Sequence, residues 1–291
     1  MDLRIIERAY GQYVPPGKPY LGLLDRIHRH LLPRTYAEVG VSNGSSLTLV
    51  LPGTISIGID PAPNLRLPVR RSTRIFRQTS DDFFAQHDLQ RLFGGLPLDL
   101  AFIDGMHHFE YAFRDFINLE QASSSTSTVL IHDCLPIDEV TAERERSTDV
   151  WSGDIWRLIL LLREWRPDLD VEVIDSAPTG LGMVRRLDAT STVLSEHYDE
   201  IVEQYLAMPY DAGPDGTAAA RINPIPGDWA SVRARLPEHP FRQQRSELVT
   251  AWQAYCTSRA VGRRIVQKAN ARLTFRKPHA TSPGTIQRFP S

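Results

Sequence analysis

Apolar residues recur at helical spacing from Tyr20 to Leu32, at Leu21, Leu24, Ile27, Leu31 and Leu32, and Pro33 closes the run. This pattern predicts an amphipathic helix. Beyond it the period changes. Short apolar runs at Thr35–Val41, Thr54–Ile59, Thr73–Arg77, Leu98–Ile103 and Thr128–Ile131 read as strands. They alternate with helical segments at Ser45–Leu51, Asp81–Phe93, Phe109–Gln121 and Asp154–Arg166. Strands near Val171–Ile174 and Gly182–Arg186 are joined by the turn-rich Ser176–Gly180 and are expected to pair antiparallel at one edge. The alternation predicts βαβ units, hence an α/β, doubly wound, mainly parallel sheet.

The alternation stops near Leu187. Thr190–Met208 reads as helical and the Gly-, Pro- and Ala-rich Pro209–Gly227 as a linker. Trp229–Leu236 and Gln243–Leu273 read as basic helices, and the residues from Pro278 onward carry no periodicity and are expected to be disordered. The domain reading is a helical lead-in over 1–33, a sheet domain over 34–188, a helical basic C-terminal extension over 189–277 and a tail over 278–291.

With 291 residues, 42% of them hydrophobic and 23% charged, the chain can build a core and is neither wholly disordered nor fibrous. Its longest aliphatic run, Leu158–Leu162, is far short of the roughly 20 residues that span a bilayer. No secretory signal is visible at the N-terminus, and Cys134 and Cys256 fit neither a disulfide framework nor a zinc site. A soluble cytoplasmic protein is the expectation. The net charge of −2 is unevenly spread: Arg221–Lys277 holds 12 basic and 3 acidic residues, leaving 21 basic and 32 acidic elsewhere. The basic region reads as an appendage that packs on the domain or mediates homo-oligomer contacts. Nucleic acid or anionic membrane lipid is the sharper alternative, and the lack of a recognised motif disfavours it.

Open parallel sheets bind ligands at the carboxyl ends of their strands. After the first strand come Glu38, Gly40, Ser42 and Gly44, with glycines placed for a sharp turn and close backbone approach. The spacing is neither that of a dinucleotide-binding glycine motif nor a P-loop. Asp60 closes the second strand, where a carboxylate is placed for a ribose diol. Ser80, Asp81 and Asp82 follow the third, facing an adenine edge or capping the next helix. The fourth strand ends in Asp104-Gly105-Met106-His107-His108-Phe109-Glu110 and the fifth in His132-Asp133-Cys134. Two aspartates and three imidazoles at one sheet edge are hard to explain as packing, because buried charge without a partner is costly.

Together these motifs resemble the class I S-adenosylmethionine (SAM)-dependent methyltransferases, in particular methyltransferase family 24, related to macrocin-type sugar O-methyltransferases and cephalosporin-hydroxylase-like proteins. The resemblance spans about Tyr20 to Leu187. It implies a Rossmann-like methyltransferase fold, with Glu38, Gly40, Ser42 and Gly44 under the methionine part of SAM. It implies Asp60 at the ribose, Asp81 or Asp82 on the adenine side, and Asp104, His107 and Asp133 at the reaction centre. Phe109 replaces a tyrosine found in many relatives, and His132 replaces a second carboxylate of metal-dependent ones.

The implied activity is O-methylation of a hydroxyl on a sugar, glycolipid or natural product, a small-molecule acceptor. A non-catalytic Rossmann-like binding or scaffold protein is the alternative. His107 is the first choice of base, with His108 and His132 behind it. Alternatively, Asp104 and Asp133 hold Mg²⁺. The charged loop Ile137–Val150 is expected to be a mobile substrate lid, and Trp151 either core or acceptor wall.

Overall fold

The computed structural model describes residues 19–210 and 221–238. The helix α1 (Pro19–Leu31) buries Leu21, Leu24, Ile27 and Leu31 and ends at Leu32, whose φ of 54° turns the chain toward Pro33. Seven strands follow: β1 (Thr35–Val39), β2 (Ile55–Ile59), β3 (Thr73–Phe76), β4 (Leu98–Ile103), β5 (Ser123–His132), β6 (Asp170–Ile174) and β7 (Leu181–Arg185). Between them lie α2 (Ser80–Gln86), α3 (Leu89–Leu92), α4 (Phe109–Gln121) and α5 (Trp156–Trp165). After the sheet come α6 (Val193–Glu196), α7 (Tyr198–Leu206) and α8 (Trp229–Arg233).

The sheet order is β3-β2-β1-β4-β5-β7-β6. Strands β1 to β5 run parallel, and β7 inserts antiparallel between β5 and β6. This is the Rossmann-like methyltransferase arrangement. The chain winds outward from β1 to β3 and returns on the other side of β1 at β4, so Val39 and Ile103 pair at the point where strand order reverses. Period-two alternation builds a core on each face. Ala37, Val39, Ile57, Ala101, Ile103 and Val129 pack with α4, α5 and α7 on one side. Tyr36, Leu100, Phe102, Leu130 and Met183 pack with α1 and α8 on the other.

Several expectations shift in detail. Asp81–Phe93 is two helices, because His87 is extended and Asp88 restarts the chain as an N-cap for the Arg91 N–H. Ser45–Leu51 shrinks to a 3₁₀ turn at Leu47–Leu49. Strand β5 begins at Ser123, five residues before the apolar run, because a register shift lets the polar Ser/Thr stretch stay on the ladder. The described part of the extension shares the core: Leu194, Ile201 and Tyr205 join one cluster, Val232 and Leu236 the other. The Ile225 N–H donates to the Val173 carbonyl at 2.7 Å, adding an isolated bridge beside β6. The expected helix Gln243–Leu273, the tail from Pro278 and residues 211–220 of the linker lie outside the described residues. Among the described residues no helix is long and apolar enough to cross a membrane.

Candidate active site

Strand β1 ends in a turn that only glycine permits. Gly40 has φ 88°, and a Cβ there would sit 1.9 Å from the Asp104 carbonyl oxygen. The glycine turn and the end of β4 are thus in direct contact, as the pairing of β1 with β4 requires. Gly44, at φ 80°, packs against Leu65 from the loop after β2. Beneath the turn Glu38 is fully buried, accepting from the Tyr36 hydroxyl at 2.7 Å and the Ser46 hydroxyl at 2.7 Å. Burial pushes its carboxyl up to about 8, against the pull of those two hydroxyls.

Asp60 lies at the next strand end. Its two oxygens accept from the Ser42 N–H and the Ala62 N–H, each at 2.7 Å, which ties the β2 end to the glycine turn. Each carboxylate oxygen keeps a further lone pair for a ligand hydroxyl. The third strand end is differently spent. Arg114 grips Asp81 with two bonds of 2.8 and 2.7 Å and holds its carboxyl below the usual range. Asp82 exchanges bonds with the N-cap Thr79 at the start of α2. Of the expected adenine-side pair, the one is ion-paired and the other is part of a helix cap.

Asp104, His107 and Asp133 converge, each offering a ligand atom within 4.8 Å of the others. His107 Nε2 lies 3.3 Å from Asp133 Oδ2 and 3.9 Å from Asp104 Oδ1. Its Nδ1 donates to the Trp151 carbonyl at 2.8 Å, so in the neutral ring the Nε2 lone pair faces the carboxylates. The ring stacks on Trp151 at 4.8 Å and 18°. Asp133, in the left-handed region at φ 63°, also accepts from the Thr179 hydroxyl. Burial opposes its charge, but His132, His107 and Thr179 hold the carboxyl below its usual range.

The other two histidines separate from this role. His132 Nδ1 lies 2.9 Å from Asp133 Oδ2 and 3.2 Å from Asp104 Oδ1, and its ring packs on Tyr20 at 4.1 Å. Burial disfavours the charged ring, yet the two aspartates outweigh it and push His132 up to about 10. A charged imidazolium at neutral pH has no lone pair for a proton, so His132 cannot serve as base. His108 Nε2 donates to the Arg144 carbonyl at 2.9 Å and belongs to the loop, not the centre.

Sequence reasoning missed the clamp that fixes His107. A Cβ on Gly153 would sit 1.8 Å from the His107 carbonyl oxygen, and the adjacent Asp154 N–H donates to that same oxygen. Asp154 is fully buried; it accepts from the Phe109 N–H that begins α4 at 2.8 Å, from Arg144 at 2.6 Å and from Arg157 at 3.3 Å. An Asp two positions before an apolar helix reads only as a cap for that helix, and its partner at α4 is 45 residues away. The loop expected to be a lid is pinned down by the same clamp: Arg144 bridges Glu110 and Asp154, and the Ser152 N–H donates to the Thr141 carbonyl at 3.0 Å. Cys134 is buried, as expected.

Residues 37–134, from the glycine turn through both strand ends of the cluster, match the family model described as a methyltransferase domain, methyltransferase family 24. The segment is a methyltransferase domain. No curated protein matches the chain. Similar solved structures include cofactor-bound Rv0187 from MTB, 16% identical over 65% of this chain and 91% of that one, with a TM-score of 0.45. An O-methyltransferase from Bacillus cereus in complex with SAH is 15% identical over 62% of this chain and 87% of that one, with a TM-score of 0.46. TomG, an O-methyltransferase from Streptomyces achromogenes involved in tomaymycin synthesis, solved with SAM, is 16% identical over 60% and 82%, with a TM-score of 0.43. In this chain the matched methyltransferase domain holds Asp104, His107 and Asp133, while Gly153, Asp154 and Thr179, which position them, lie beyond its last residue.

Proposed function

We propose that the chain is a SAM-dependent O-methyltransferase acting on a hydroxyl of a small molecule, with Glu38, Gly40, Ser42, Gly44 and Asp60 holding SAM. The observation that carries this is the contact between Gly40 and the Asp104 carbonyl, which sets a cofactor turn directly beside the Asp104–His107–Asp133 cluster. The buried Glu38 and the Gly40 cradle suit a cationic ligand lying on the turn. Asp60 accepts from the ribose diol, and Asp104 lies between turn and cluster. Asp81 keeps an adenine-side role only through its exposed edge, and Asp82 is left to its cap.

Methyl transfer from a sulfonium needs the nucleophile held in line, and positioning can supply about 7–11 kcal/mol of the barrier. His107 Nε2 takes the proton of the acceptor hydroxyl; Asp133 and Asp104 stabilise the imidazolium that results. The acceptor oxygen bonds the methyl carbon as the carbon–sulfur bond breaks.

The same donors suit a divalent cation. Two carboxylates and an imidazole whose Nδ1–H is fixed on a backbone carbonyl make a chelating set with an oriented third ligand. Such an ion lowers the pKa of a bound hydroxyl. With an ion held, His107 is a ligand; without one, it is the base. Methyl release from SAM with a hydroxyl acceptor tests the proposal. Saturable SAM binding by the folded protein with no methyl transfer to any hydroxyl would leave only the scaffold alternative.

A further inference from the structure

Exposed apolar side chains are unevenly placed. Among the described residues eight large hydrophobics are exposed, and six of them stand at the carboxyl edge of the sheet. Met106, Ile137, Val140 and Val150 lie in the segments after β4 and β5, and Leu65 and Leu67 in the loop after β2. Single exposed apolar residues are ordinary; their concentration around one opening marks a binding surface.

Local bonds join these segments. Met106, 55% exposed, directly precedes His107, whose ring lies flat on Trp151. The Trp151 indole N–H donates to the Glu143 carbonyl at 2.7 Å, and the Ile137 N–H to the Thr141 hydroxyl at 3.1 Å. The basic groups of this loop are already committed: Arg144 to Glu110 and Asp154, Arg146 to the Thr148 and Asp149 carbonyls. Sugar recognition depends on fixed polar groups aimed at several hydroxyls, and this wall offers few.

We infer that, if the methyl-transfer reading holds, the acceptor carries its hydroxyl on a flat aromatic skeleton, packed against Trp151 and Met106 with Ile137 and Val140 at the rim. The chemistry agrees. A phenol ionises near pH 10, far closer to an imidazole than a sugar alcohol does. In the step itself the phenolic proton passes to His107 Nε2, the oxygen–carbon bond forms as the sulfur–carbon bond of SAM breaks, and S-adenosylhomocysteine (SAH) leaves.

The test uses the full chain with caffeic acid, quercetin and methyl α-rhamnoside as probes. Binding is followed by calorimetry in the presence of SAH, and methyl transfer from SAM by mass spectrometry. Saturable binding of a phenol, weakened five- to tenfold by Met106→Ser and more by Trp151→Ala, is the expected result, with KM rising and kcat held in Met106→Ser. Met106 is largely exposed, so that variant keeps the fold and the His107 stack. Binding confined to the rhamnoside, no phenol binding, or phenol binding indifferent to both variants overturns the inference. Failure of SAM to bind defeats the methyl-transfer reading separately, and the phenol-binding arm still decides the acceptor.

Discussion

At the scale of single residues, the centre depends on backbone freedom at Gly40 and on one ring orientation at His107. In Gly40→Ala the new methyl overlaps the Asp104 carbonyl at a φ that L-residues rarely adopt. SAM affinity should fall by more than an order of magnitude while Gly94→Ala, whose Cβ meets nothing, leaves it unchanged. Equal affinity in both variants would detach the turn from the cofactor. His107→Ala should reduce turnover by about 10²–10⁴-fold with SAM affinity nearly intact, read by single-turnover kinetics beside calorimetry. Treatment with EDTA separates its two roles: unaffected turnover keeps His107 as base, and loss restored by a divalent ion makes it a ligand.

At the scale of elements, Asp154 links three of them. It caps α4 from outside, anchors the loop through Arg144 and pairs with Arg157 at the start of α5. Removing one partner of a buried charge network typically costs about 3–5 kcal/mol. Asp154→Ala should therefore lower the urea midpoint strongly and release His107, whereas Asp154→Asn, which keeps the acceptor for the Phe109 N–H, should lose less. Near-wild-type stability in Asp154→Ala would show that the clamp is decorative. The same residue marks the limit of sequence reading. Strands β1, β2 and β4 and helix α4 were legible because their period is carried by contiguous apolar residues, and α4 matches Phe109–Gln121 at both ends. Glu38, Gly40, Asp60, Asp104 and Asp133 were legible because strand ends bring ligand groups to one edge. Gly153, Asp154 and Thr179 were not, since their roles come from contacts across 45 or more residues that no local pattern encodes. The break at His87-Asp88 was missed because an aspartate that stops one helix and caps the next looks like an ordinary solvent-facing residue.

At the scale of the whole molecule, several buried groups bias stability in one direction of pH. Glu38 is pushed up to about 8 and Asp115 to about 7, both by burial. Each is protonated in the fold where the unfolded chain has already ionised. Their contribution is therefore progressively lost as pH rises from about 4.5, the ordinary glutamate value, to the folded value. His132 acts in the same sense: pushed up to about 10 from 6.5, it adds stability below pH 6.5 that disappears as pH climbs through 10. Opposing them, Asp81 and Asp133 sit below their usual range and lose their contribution only under strong acid. Stability should peak near pH 5, on the acid side of the usual window, and decline steadily toward pH 9. Denaturant midpoints measured across that range in Glu38→Gln, which retains acceptance from Tyr36 or Ser46, should fall less between pH 5 and 8 than in the wild type. Parallel profiles for the two proteins would mean that Glu38 is charged within the fold, and that the cavity beneath the glycine turn is wetter than its complete burial implies.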